Sequence, residues 1–312
     1  MKQETFSVLL PHCGPPTHAS ITHFLSTLLP PCTNDVNFLY HTPRHPAYNP
    51  SRAIASHVVL SVAPTPGVYA ALNSPEPASP PLCFLHRPWQ LNRRAVPRGS
   101  LVIASHTSLD MHLTVGWNLT LAGRLGLQTE SALCIQGYKG DPRRKIGLVA
   151  RVRPGVDPSL ASLTDTVKRE FAGAGDLHLP AGASLGPGSR VTAVAIMNAF
   201  HPEEIDRVIC AAREAKWIGD HEDASNVLYL TGAARDYGLK AAAMAGMPAI
   251  CVGHRPCEDW GVRYLAEMLK EQWPELTVEE VLEEEEQRAA PKKAERDIES
   301  VNLRVDSSTG QA

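Results

Sequence analysis

A strand-turn-helix pattern at residues 248–273 constrains the fold more than any other part of the sequence. Its first part, Pro248–Val252, is a short apolar run that ends at a glycine, which indicates a buried strand. The apolar residues that follow keep a 3.6-residue period as far as Trp273, which predicts a helix. Buried strands that alternate with helices are typical of α/β proteins, whose open sheets bind ligands at the carboxyl ends of the strands.

Two candidate metal ligands lie where this strand meets the helix. Pro256 disfavours helical backbone at Arg255 and suits a first helical position. We therefore expect His254 in the turn and Glu258 in the first helical turn. An imidazole and a carboxylate brought together there suit a divalent ion of the Zn, Fe or Mn type. The alternative is that Glu258 only stabilises the helix dipole and that His254 is an ordinary loop residue.

Two further apolar runs end in the same way. Leu82–Leu85 runs directly into His86, and Leu101–Ala104 runs into a turn with His106 and, four residues later, Asp110. Three strands that end at histidine-bearing turns, at equivalent positions on a sheet, point to one site supplied by several strand ends.

Alternating strand and helix patterns continue along most of the chain, in two halves. They predict an α/β fold with an N-terminal lobe at residues 1–150, a connecting segment at 151–190 and a C-terminal lobe at 191–286. After residue 286 the chain is polar and lacks apolar periodicity, so we expect residues 287–312 to be disordered.

Composition excludes several classes of protein. The formal net charge of -3 gives no basic excess for direct binding to nucleic acid. No apolar run approaches the roughly 18 residues of a membrane span, and the first residues do not read as a secretory signal. Seven cysteines are scattered without a C-x-x-C pair, which fits a reducing compartment. We therefore expect a cytoplasmic protein that does not contact membranes.

The three histidine-bearing turns also occur together in a known family. Leu85–Pro88, Ser105–Asp110 and Gly253–Glu258 follow one another in the order of that family's His-His-Pro, H-T-N-L-D and G-H-x-x-x-E motifs. On these motifs the chain resembles the GTP cyclohydrolase type 2-like family, also called the Ngg-interacting-factor-three family. The resemblance covers residues from about 55 to 285.

The resemblance implies two α/β lobes with mixed sheets flanked by helices, and a divalent metal site, typically of two ions, in the cleft between the lobes. It also implies a homo-oligomer, specifically a hexamer. Carried over onto this sequence, the metal ligands are His86, Asp110, His254 and Glu258. His106 is either an extra ligand or a partner that positions one.

Arg87 departs from the family pattern because it stands where the family has its second adjacent histidine. A guanidinium does not ligate metals, and its charge opposes a second dication. We therefore expect one ion, or a weakened pair. Arg87 could instead clamp an anionic group of the substrate, such as phosphate, or form a salt bridge with Asp110 or Glu258 in place of the lost metal.

The function that these residues favour is divalent-metal-dependent hydrolysis of a small, nucleotide-like substrate. A metal-bound water would be the nucleophile, and Asp110 or Glu258 would be the general base. The alternative is a non-catalytic, metal-binding scaffold that interacts with a protein partner, and Arg87 supports this alternative. The sequence identifies neither the substrate nor a partner.

Overall fold

The structure is a computed structural model that describes residues 14–32, 34–74, 79–138, 140–183, 186 and 188–285. The segment expected to be disordered, 287–312, lies outside these residues. Within them the helices are α1 (His18–Leu28), α2 (Pro66–Leu72), α3 (Thr107–His112), α4 (Leu119–Arg124), α5 (Leu160–Glu170), α6 (Pro202–Glu214), α7 (Asp236–Met244) and α8 (His254–Gln272). The strands are β1 (Leu39–His41), β2 (His57–Ser61), β3 (Leu82–Leu85), β4 (Leu101–Ala104), β5 (Leu133–Tyr138), β6 (Asp141–Arg151), β7 (Asp176–His178), β8 (Ala193–Met197), β9 (Val227–Thr231), β10 (Ala249–Cys251) and β11 (Thr277–Val281).

These strands form two mixed sheets. The first has the order β1-β4-β3-β2-β11, in which only the β1–β4 pairing is antiparallel. The second has the order β5-β6-β8-β9-β10-β7, with β8, β9 and β10 parallel to one another. Every residue of β2, β3, β4, β8, β9 and β10 is buried, as expected for parallel strands covered on both faces. The predicted α/β fold with two mixed sheets and flanking helices is thus confirmed.

Alternate side chains of the strands enter different parts of the core. Leu60 and Phe84 of the first sheet share the largest apolar cluster with Ile196 and Leu230 of the second sheet, together with apolar residues of α1, α5 and α8. The remaining strand residues pack in separate clusters with α2 on the first sheet and with α6 and α7 on the second. Because side chains alternate along a strand, each sheet has one face in the shared core and one covered by its own helices.

Strand membership does not follow chain order. β5 and β6 precede residue 152 but belong to the second sheet, whereas β11, near residue 280, returns to the first sheet and pairs in parallel with β2. The chain therefore crosses between the sheets more than once, and the division at residues 150 and 190 stays a prediction about domains. None of the helices in the described part of the chain is long and apolar enough to cross a membrane.

The helix α8 begins earlier in the chain than the sequence suggests. We expected His254 in a turn, but Gly253 has φ +91° and α8 begins at His254 itself. The positive φ, which glycine adopts without strain, turns the chain directly from β10 into the helix. Pro256 is tolerated because the first four backbone N–H groups of a helix have no partner within the helix.

Candidate metal centre

His86 follows β3 directly and is completely buried. Its Nδ1 lies 3.1 Å from the backbone carbonyl oxygen of Ser105. Because a carbonyl oxygen only accepts, Nδ1–H donates this hydrogen bond, and in the neutral imidazole the lone pair is on Nε2. The local structure therefore fixes the ring with Nε2 as its ligand atom.

His86 belongs to a compact group with His106 and Asp110, whose ligand atoms all lie within 4.8 Å of one another. His86 Nε2 is 3.4 Å from Asp110 Oδ1 and 3.2 Å from His106 Nδ1. A tetrahedral ion with ligands at about 2.0–2.1 Å separates neighbouring ligand atoms by about 3.3 Å. The His86–His106–Asp110 group could thus hold a metal ion with little movement.

Asp35 fixes the turn that carries His106 and Asp110. Its carboxylate accepts hydrogen bonds from the backbone N–H groups of His106, Thr107 and Ser108, at 2.8, 2.9 and 3.0 Å, so it caps α3 from a distant part of the chain. Burial opposes ionisation of Asp35, but these donors lower its pKa. Sequence reasoning missed Asp35, since nothing local in the sequence connects it with a turn some 70 residues away.

Glu258 lies one helical turn after His254 on α8, and its side chain is only 1% exposed. Its Oε1 is 3.2 Å from His86 Nε2 and 3.2 Å from His254 Nε2. Although buried, Oε1 has no hydrogen bond of good geometry to any residue that the structure describes. Burial disfavours the charged carboxylate, yet the two facing imidazoles hold the pKa of Glu258 below its usual range.

Arg87 forms the salt bridge that was one of its expected alternatives. Its terminal nitrogen Nη2 lies 2.8 Å from Glu258 Oε2, and its Nε lies 3.2 Å from Glu285 Oε1. The guanidinium therefore binds the oxygen of Glu258 that faces away from the imidazoles. This contact orients Glu258 so that Oε1 alone faces His86 and His254.

The predicted residues thus come together around His86, but their ligand atoms do not all lie within the same short distance of one another. In the described part of the chain, the compact group contains His106, which the resemblance gave as an extra ligand or a positioning partner. Glu258 contacts the same Nε2 atom of His86, and His254 contacts Glu258. The assignment of individual ligands remains a prediction.

Charges in the site are strongly coupled. Burial favours the neutral imidazole of His86, but Asp110 and Glu258 outweigh it and raise the pKa of His86 to about 9. Glu258 likewise raises the pKa of His254, whereas burial lowers the pKa of His106. A proton and a divalent ion would compete for Nε2 of His86 between the two carboxylates.

A cavity of about 500 Å³ opens beside these residues. Asp110, His254 and Glu258 line one part of it, and Asn198 and Arg235, which follow β8 and β9 of the second sheet, line another. The volume is in the range of small-molecule sites. A small substrate in this cavity would contact residues that follow strands of both sheets.

The profile of the family described as Duf34/NIF3 (NGG1p interacting factor 3) matches residues 90–288, which is more than half of the chain. The match includes His106, Asp110, His254 and Glu258 and begins just after His86 and Arg87. Its description names no cyclohydrolase, so it supports the second name of the resemblance and not the first. No curated protein sequence matches the chain.

Several solved structures have a similar fold. Protein SA1388 of Staphylococcus aureus has a TM-score of 0.56 at 14% identity, over 88% of this chain and 100% of that one. Protein ybgI, of unknown function, has a TM-score of 0.53 at 15% identity, over 85% and 98%. Reduced HcgD from Methanocaldococcus jannaschii has a TM-score of 0.52 at 15% identity, over 85% and 97%. These likenesses show a shared fold, and together with the profile match they lead to one conclusion: the chain belongs to the Duf34/NIF3 family.

Proposed function

We propose that the protein is a divalent-metal-dependent hydrolase of a small, nucleotide-like substrate. The observation that carries the proposal is the buried Oε1 of Glu258, which lacks a hydrogen bond among the described residues and lies 3.2 Å from the Nε2 atoms of His86 and His254. Its contacts with the two imidazoles are ion pairs without good hydrogen-bond geometry, and a cation between these three atoms would stabilise the buried charge. Two imidazole nitrogens and a carboxylate oxygen that converge in this way fit a divalent ion of the Zn, Fe or Mn type.

The residues of the site divide the chemical work between them. A divalent ion, when bound, would lower the pKa of a coordinated water towards neutrality. Glu258 is held on both oxygens, by the imidazoles and by Arg87, and is poorly placed to accept a proton. Asp110 is 20% exposed and lines the cavity, so it is the better general base.

We further propose that the chain binds one ion. The guanidinium of Arg87 lies against Glu258 and adds a fixed positive charge beside the site, which disfavours a second dication. Arg87 therefore supplies the positive charge that a second ion would supply, but it cannot activate a water molecule as a metal ion does.

Metal content per chain, measured by elemental analysis of the purified protein, tests the proposal. We expect one ion in the wild type and none in a His254→Ala/Glu258→Ala variant. Two ions would contradict the role given to Arg87 and leave hydrolysis standing. The absence of metal even after reconstitution with Zn, Fe or Mn would refute the hydrolase.

The Arg87–Glu258 contact also supports a second candidate function, a metal-binding scaffold without turnover that interacts with a protein partner. Arg87 neutralises the carboxylate of Glu258, which an enzyme would use as a metal ligand. Bound metal with saturable hydrolysis of nucleotides favours the enzyme, and bound metal without turnover favours the scaffold. For either function we propose that the protein is cytosolic and forms a homo-oligomer, a hexamer as the resemblance implies. Light scattering of the purified protein would test the oligomeric state.

A further inference from the structure

We propose that a small pocket beside the metal residues binds the phosphoryl or carboxylate group of a ligand. In this structure Glu285 of the same chain pairs with the guanidinium of Arg87, which would bind that group. The pocket, here called the Arg87 pocket, has a volume of about 220 Å³ and is lined by Thr65, Arg87, Trp89 and Glu285, among others. The inference deepens the proposed function, since it gives the substrate an anionic group. Its tests measure binding alone, so either can fail without the other.

Thr65 supplies an unused polar group to the wall of the pocket. The residue is 4% exposed, and its Oγ1 is buried without a hydrogen-bond partner among the described residues. Thr65 precedes α2, but its hydroxyl does not cap that helix. A buried hydroxyl without a partner costs about 1–3 kcal/mol, part of which a ligand oxygen would recover.

Arg87 supplies the charge. One side of its guanidinium is held by Glu258, while Nε faces Glu285 Oε1 at 3.2 Å. Neither Arg87 Nε nor Glu285 Oε1 forms a hydrogen bond of good geometry with a described residue, although both atoms are buried. The contact between them is therefore an ion pair of poor geometry. A planar guanidinium binds carboxylate and phosphate oxygens well, so an external anion with better geometry can displace Glu285.

The acidic segment after β11 brings Glu285 to this position. Its residue Glu283 accepts a hydrogen bond of 2.8 Å from the backbone N–H of Gly67, in the first turn of α2. Glu283 thus attaches the segment to α2, and Glu285 lines the pocket. The anion that the pocket selects resembles the carboxylate that already lies in it.

The pocket adjoins the metal residues through two contacts. Arg87 contacts Glu258, and the ring of Trp89 meets that of His106 edge-on at a centroid distance of 4.8 Å. Trp89 is 56% exposed and offers a flat apolar surface to the pocket. The ligand is therefore an anion with a planar ring, whose ring packs against Trp89.

Calorimetric titration with phenyl phosphate and with benzoate, without added metal, tests the inference. The two probes share a ring and differ in the anion, so their relative affinity shows whether the pocket prefers a phosphoryl or a carboxylate group. Thr65→Val keeps the shape of the side chain and should weaken binding about fivefold, as the loss of one hydrogen bond predicts. Glu285→Gln should tighten binding about threefold, since partly exposed ion pairs are weak.

Glu284→Gln is the matched control, because it removes the same charge from an exposed neighbour that does not line the pocket. It should bind both probes as the wild type does. The inference is overturned if neither probe binds, if Thr65→Val binds like the wild type, or if Glu285→Gln and Glu284→Gln have the same affinity. Thermal unfolding of each variant confirms that it is folded, and its metal content shows that the metal site is intact.

Discussion

Arg87 and Glu258 decide, at the scale of single residues, what this site can bind. The sequence predicted both residues for the site, because each follows the end of a buried strand. It left the partner of Arg87 open between Asp110, Glu258 and a substrate anion, since the choice depends on how α8 packs. The structure gives Glu258 Oε2 as the partner, at 2.8 Å.

Arg87→His restores the residue that the resemblance implies at this position. Without the fixed cation and with an added imidazole, the chain should bind two ions in place of one. Arg87→Gln is the control: it removes the charge but adds no good ligand, and should still bind one ion. Elemental analysis of both variants after equal metal reconstitution measures the difference. One ion in the Arg87→His variant would show that Arg87 does not set the number of ions.

At the scale of elements, α3 depends on a cap that is remote in sequence. Asp35→Asn keeps the size of the side chain but loses the charge that accepts bonds from three backbone N–H groups. We expect it to lower the free energy of unfolding by about 1 kcal/mol, as for other helix caps. Because α3 also places His106 and Asp110, metal affinity should fall about 10- to 100-fold, as for partners that orient ligands.

Asp157→Asn is the matched control for this prediction. Asp157 makes the same kind of contact, with the backbone N–H and hydroxyl of Ser159, at a surface turn far along the chain. Denaturant unfolding and metal titration of both variants separate the two effects. Equal metal affinity in Asp35→Asn and Asp157→Asn would mean that the cap does not position the site.

His18 ties the start of α1 to two other segments and makes stability depend on pH. It is completely buried, with Nε2 3.1 Å from the carbonyl oxygen of Pro80 and Nδ1 3.0 Å from the hydroxyl of Tyr48. Burial lowers its pKa below the usual 6.5, against the raising effect of the bond to Pro80. The unfolded chain therefore binds this proton more readily, so the stability is fully present above pH 6.5 and is lost as the pH falls below it.

His18→Gln removes this titration and retains a donor that can reach Pro80. Between pH 8 and pH 5.5 the free energy of unfolding should fall less in the variant than in the wild type. His23→Gln, on the exposed side of the same helix, should behave like the wild type. Denaturant unfolding at both pH values measures the slopes, and equal slopes in all three proteins would exclude His18 as the cause.

At the scale of the whole molecule, local patterns predicted the buried parallel strands of both sheets, but not the partly exposed strands β1, β7 and β11 and not how the sheets share their strands. Continuous apolar runs were enough for the fold class and for the strand ends at His86, His106 and His254. The return of β11 to the first sheet was not predictable, because Thr277–Val281 contains two adjacent acidic residues and no continuous apolar run. The preceding helix α8 contacts both β11 and β2, and this packing is a long-range feature that local patterns do not show.

Ending the chain after Leu276 removes β11 and exposes the edge of β2, including Ser61, whose hydroxyl donates to the carbonyl oxygen of Val281 at 2.7 Å. An unpaired, fully buried strand favours aggregation. We expect this variant to lose cooperative thermal unfolding and to form aggregates. A chain that ends after Glu285 keeps β11 and should unfold at the wild-type temperature; equal behaviour of the two truncations would show that β11 is dispensable.

The position of β11 in the chain also determines when, during synthesis, the first sheet is completed. A ribosome makes β2 before the second sheet and β11 after it, so the first sheet stays incomplete while the second is synthesised. The site is also incomplete during this time, because His86 can contact Glu258 only after α8 has been made. A nascent chain thus carries an unfinished site until α8 is made and an open edge of β2 until β11 is made.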